Sequence, residues 1–128
     1  MKYYFSKKLN VPFDKAIELV TVELSKYGFG ILTEIDVRNT LKKKLNVDFS
    51  RYVILGACNP PIAYRALKAE SKIGTMLPCN VIIQEHGEND VEVSAINPIA
   101  SMQAIDNPEL GKIAAEVQQR LKEVIDHL

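Results

Sequence analysis

The chain has 128 residues, 47% hydrophobic and 25% charged, which suits one domain with a real core and excludes a disordered chain. Sixteen basic residues balance sixteen acidic ones, so there is no cation surplus to displace counterions from phosphates, and nucleic acid is not expected as a partner. No apolar run reaches bilayer-spanning length, and Tyr3-Tyr4-Phe5 leads into Ser6-Lys7-Lys8 without a signal-peptide core, so a single cytoplasmic domain over residues 1–128 with no membrane partner is expected.

Residues 2–9, rich in aromatics, read as a first strand. Pro12-Phe13-Asp14 opens a helix with Phe13, Ile17, Val20, Leu24 and Tyr27 on one face, and Gly28 stops it. Phe29 to Ile35 reads as a second strand, with Phe29, Ile31 and Thr33 on one face and Leu32 on the other. Asp36 caps a short helix that carries Val37, Leu41 and Leu45 on one side and the solvated run Lys42-Lys43-Lys44 on the other. Tyr52 to Cys58 is a continuous apolar run, the pattern of a strand buried on both faces.

Asn59 and Pro60 start a third helix, which Ala63, Ala66, Leu67 and Glu70 continue. A loop over residues 71–77 precedes strands Cys79 to Glu85 and Val91 to Ile96, which Gly87-Glu88-Asn89-Asp90 joins as a hairpin. Ile99 to Ile105 is a short irregular or helical piece. Asn107-Pro108 opens the last helix, with Leu110, Ile113, Val117, Leu121, Val124 and Leu128 on its apolar face. The fold class is α+β in the order β-α-β-α-β-α-β-β-α, with a curved mixed or antiparallel sheet and the two long helices on one face. The other sheet face then needs the short helices or a second subunit, so a homodimer is expected.

The segments Gly56-Ala57-Cys58-Asn59-Pro60 and Leu77-Pro78-Cys79-Asn80-Val81 each place a Cys-Asn pair beside a proline at a strand end. This makes Cys58, Asn59, Cys79 and Asn80 the candidate ligand-binding residues. Cys58 precedes a helix whose first N–H groups could hold an anion or favour a thiolate. Equally, a small apolar Cys finishes a core strand well, and Asn59 and Asn80 serve as cap and turn residue. Cys58 and Cys79 fit no zinc-finger spacing, and His86 and His127 add nothing near them in sequence, so no metal or other cofactor is expected. Copper(I) on two thiolates is conceivable from ligand softness alone. No catalytic triad order, phosphate loop or dinucleotide fingerprint is present.

The stretch Tyr52 to Ala66, with Gly56, Cys58, Asn59, Pro60 and Ala63, resembles the signature of the domain of unknown function 302 family. Ile35-Asp36-Val37, Leu77 to Val81 and Asn97-Pro98 match its other blocks in order, so the resemblance spans nearly the whole chain. It implies a TATA-binding-protein-like α+β fold, one copy per subunit, and a homodimer. It carries no established activity. Three functions are therefore weighed: binding of a small molecule or anion at the Cys58-Asn59-Pro60 junction, a thiol-dependent redox or sulfur-handling enzyme using Cys58, and a dimeric scaffold without a site.

Overall fold

The structure, a computed structural model, describes residues 2–128; Met1, the first residue of the expected domain span, lies outside the described residues. Five strands, β1 (Tyr4–Leu9), β2 (Gly30–Asp36), β3 (Tyr52–Cys58), β4 (Cys79–Gly87) and β5 (Asp90–Ile96), form one sheet in the order β1-β5-β4-β3-β2. Every neighbouring pair is antiparallel, so of the two sheet types expected, the mixed one is excluded. Helices α1 (Phe13–Lys26), α2 (Val37–Leu45), α3 (Pro60–Ala69), α4 (Pro98–Met102) and α5 (Pro108–Asp126) complete the fold. Because β1 and β2 occupy opposite edges, α1 must carry the chain across the whole sheet.

The core lies between one sheet face and the two long helices. Val53, Leu55, Ala57, Val81, Ile83, Val91, Val93 and Ala95 supply the sheet side, each at most 7% exposed. Their alternation along β3, β4 and β5 is the period-2 pattern of a half-covered sheet. Against them pack Phe13, Ala16, Val20 and Leu24 of α1 and Leu110, Ile113, Val117, Leu121 and Val124 of α5. The helical periodicity in the sequence thus marks the inward faces, as expected. Gly28, at φ 86°, ends α1: its N–H reaches Ser25 O and the Phe29 N–H reaches Leu24 O, a left-handed cap that releases the chain into β2.

Three expectations are corrected. In β2 a bulge between Ile31 and Thr33 sets Ile31 opposite Ala57 but Thr33 opposite Gly56. One extra residue, Leu32, breaks the alternation, so Ile31 and Thr33 fall on opposite faces. β3 is not buried on both faces, since Tyr52, Ile54 and Cys58 are only half-buried. Helix α2, with Val37, Leu41 and Leu45 on one side, has no buried residue, and Leu45 is 66% exposed. The segment 71–77 is ordered as a 3-10 turn over Ser71–Met76, which drives Ile73 into the core.

Three helices begin with Asn-Pro, at Asn59, Asn97 and Asn107, and in each the Asn side chain accepts from the first turn. Proline at the first helical position has no N–H to lose, and the asparagine oxygen satisfies one that remains. All three asparagines also tie elements together, Asn59 through a bond from its Nδ2 to Tyr27 O at the end of α1. Asn107 Nδ2 donates to Ala69 O at the end of α3, and the buried Asn97 donates to Lys2 O beside β1.

Candidate functional site

The antiparallel register of β3 and β4 pairs Ala57 with Cys79 and Gly56 with Asn80. Cys58, at the end of β3, and Cys79, at the start of β4, therefore meet at one end of the sheet. α3 and the 3-10 turn form the connection between them, folded back against α5. Packing at this end is close. A Cβ on Gly56 would meet Thr33 Oγ1 and lie 2.7 Å from Pro78 Cγ, so only glycine lets the β2 bulge and the Leu77–Pro78 cis peptide sit over the strand.

Between α3, α5 and these strand ends lies a cavity of about 300 Å³. Phe29, Ala57, Ile62, Ala66, Ile113 and Val117 form its floor, and both cysteines line it. Leu32 and Leu67, 66% and 45% exposed, stand at its rim. A second cavity of about 300 Å³ adjoins it. The two share Leu77, Pro78, Cys79, Pro98 and Met102 as a common wall. Thr75, Asn80 and Ser101 make the second one polar.

The four candidate residues thus separate. Cys58 and Asn59 line the first cavity, Asn80 lines the second, and Cys79 belongs to both. Both cysteines are free thiols. Burial first, and the charge of Cys58 second, push the Cys79 thiol up to about 11. Cys79 is therefore a neutral thiol at physiological pH. With a native protein at pH 8, an aromatic disulfide reagent is expected to titrate Cys58 first and to leave Cys79 nearly inert until denaturant is added. Equal rates for both thiols would refute the assignment; single Cys→Ala variants identify which thiol reacts.

Asn59 is a structural residue at this site. Its Oδ1 accepts from the Ile62 N–H at 3.3 Å and its Nδ2 donates to Tyr27 O at 3.3 Å, binding the end of α1 to the start of α3. Arg120 donates to the same carbonyl at 3.0 Å. A Cβ on Gly28 would fall 2.7 Å from Asn59 Nδ2, so the glycine also makes room for this contact.

The start of α3 has no N–H to offer an anion. Pro60 and Pro61 lack one, the Ile62 N–H is held by Asn59 Oδ1, and the Ala63 N–H bonds to Asn59 O. The anion seat expected from the helix N-terminus is corrected on this ground, and the donors invoked to favour a Cys58 thiolate are committed elsewhere. Among the described residues, no group of three or more His, Cys, Asp or Glu side chains could hold a metal ion. None of the described helices is long and apolar enough to cross a membrane.

Sequence reasoning gave no site role to Thr75, Ser101, Met102 or the wall prolines Pro78 and Pro98. The available signal was punctuation: each proline sits beside the end of a strand that reaches this edge of the sheet.

The family model described as "Domain of unknown function DUF302" matches residues 5–128. A solved structure, that of an uncharacterized conserved protein DUF302 from Bacillus stearothermophilus, shares 27% sequence identity with the chain, covers 98% of each, and superposes with a TM-score of 0.90. No curated protein matches the sequence.

Proposed function

Because the chain belongs to the domain of unknown function DUF302 family, whose description assigns no chemistry, we propose a function from its cavity: reversible binding of a small apolar molecule at the Cys58–Cys79 end of the sheet. The observation that carries this reading is an apolar cavity of about 300 Å³ between α3, α5 and the strand ends. That volume lies at the lower end of the range for small-molecule sites, which are typically concave and mostly apolar. Of the two ligand types expected at the Cys58-Asn59-Pro60 junction, the committed N–H groups of α3 favour the apolar molecule over the anion. A reducing compartment suits the site, because both thiols then remain free to line it.

A neutral fluorescent probe that brightens in apolar surroundings, N-phenyl-1-naphthylamine, tests the reading. We expect saturable binding of one probe per chain, and its loss in Ala63→Trp, which fills the cavity from α3 while circular dichroism reports an intact fold. An enhancement that never saturates, or that survives in the folded Ala63→Trp protein, would defeat the reading.

The domain works as a homodimer in this proposal. The supporting observation is the apolar sheet face away from the long helices. The register aligns Ile35, Ile54 and Ile82 across β2, β3 and β4 on the face away from the long helices. Ile35, Leu45, Val47 and Phe49, all within one stretch of chain, are each at least 43% exposed. α3 and α4 cannot cover this face, because they pack on α5. A clustered apolar surface of this kind marks an association site, and a two-fold contact satisfies it without open-ended growth. Light scattering is expected to give twice the 14.3 kDa chain mass, and Ile35→Glu to return it to the single-chain value. A wild-type protein that stays at one chain mass at micromolar concentration would sink the dimer.

A further inference from the structure

We propose, resting on the cavity reading above, that the ligand is an amphiphile with an uncharged head group that donates hydrogen bonds, of the primary-amide type. Its apolar part occupies the first cavity and its head the second. The two cavities lie side by side, sharing Leu77, Pro78, Cys79, Pro98 and Met102 among their lining residues, so the ends of one bent molecule are placed within reach of both. Their chemistry differs sharply. The first presents aliphatic and aromatic carbon with two thiols, and its one amide, on Asn59, is used by Tyr27 O and the Ile62 N–H.

The second cavity selects the head. Ser101 Oγ donates its proton to Pro98 O, and Thr75 Oγ1 donates its own to Lys72 O. Each hydroxyl therefore meets a ligand as an acceptor. Asn80, exposed at the mouth, offers both an acceptor oxygen and a donor NH₂. A head with N–H donors and a carbonyl oxygen matches this set. A carboxylate, which only accepts, would face two hydroxyl lone pairs instead. Among the described residues lining either cavity there is no Lys, Arg or His to pair with it. The head is therefore uncharged, and a donor.

Displacement of N-phenyl-1-naphthylamine by octanamide and by octanoate at pH 7 tests the inference, since the two share a chain length and differ in the head. We expect octanamide to displace the probe at least about tenfold more tightly than octanoate. Asn80→Ala should weaken octanamide roughly three- to tenfold, the usual effect of losing one hydrogen-bonding partner. Equal affinity for the two heads, or an Asn80→Ala protein that still prefers octanamide as strongly as wild type, overturns the head-group assignment while leaving the apolar cavity in place. Failure of the probe to bind wild-type protein overturns both.

Discussion

Leu121→Ala is expected to destabilise the protein by about 3 kcal/mol, within the range of roughly 2–5 kcal/mol found when a buried leucine is truncated. Leu121 is 0% exposed on α5, in the same cluster as Val20 and Leu24 of α1 and Val93 of β5. Removing its isobutyl group loses the transfer free energy of those carbons and leaves a void that two helices and a sheet cannot all close upon. For a domain of this size, a loss of that order lowers the melting temperature by roughly 10 °C. Leu19, on the outer side of α1 and 36% exposed, is the internal control. Leu19→Ala should cost well under half as much. Matching denaturant midpoints for the two variants would show that α5 does not bury its stripe in solution.

Gly56→Ala is expected to have the second large effect, and here the cause is crowding. The new methyl would meet Thr33 Oγ1 and approach Pro78 Cγ to 2.7 Å, well inside van der Waals contact. Overpacking of this kind costs about 1–3 kcal/mol, because the relief must come from shifted backbone or a side chain forced off its rotamer. Thr33 is exposed and sits beside the β2 bulge, so its side chain is the part most able to yield. The double variant Gly56→Ala with Thr33→Ala should recover part of the loss, and the two changes should be clearly non-additive. If denaturation shows additive costs, the crowding lies against Pro78 alone.

The elements and the core were legible because periodicity records burial directly. The α5 stripe from Leu110 to Val124 and the end points of β3, Tyr52 and Cys58, were readable from the residues alone. The strand ends at Cys58 and Cys79, with their matching Asn and Pro neighbours, were also readable, but it is the β3–β4 register that brings the two cysteines together. What sequence could not convey was whatever depends on one inserted residue or on segments far apart in the chain. Leu32 turns a regular strand into a bulged one, and nothing in Ile31-Leu32-Thr33 announces it. The periodic Val37, Leu41 and Leu45 mark a stripe on α2, yet helical spacing does not say that anything lies opposite it, and none of the three is buried. The double cavity needs Thr75 to Asn80 and Ile96 to Met102 brought together, a juxtaposition created by tertiary packing alone. The helix N-terminus misled for a local reason: Pro61 after Pro60, with Asn59 capping Ile62, removes the donors that a helix start normally presents.

The strand order β1-β5-β4-β3-β2 also constrains how the chain reaches this structure. β1 is synthesised first, but its one partner in the sheet is β5, so Tyr4 waits for Ile96 and Leu9 for Val91. Until then α1 holds Phe13, Val20 and Leu24 ready for a sheet surface that is supplied mainly by β4 and β5. Such distant pairings must overcome loop-closure entropy before they return any binding energy, which slows folding. A nascent chain emerging from the ribosome therefore exposes apolar helix and unpaired strand edges through most of its synthesis. The sheet is thus closed at one edge by the first of its five strands to be made, and α5, which follows all five, completes its cover.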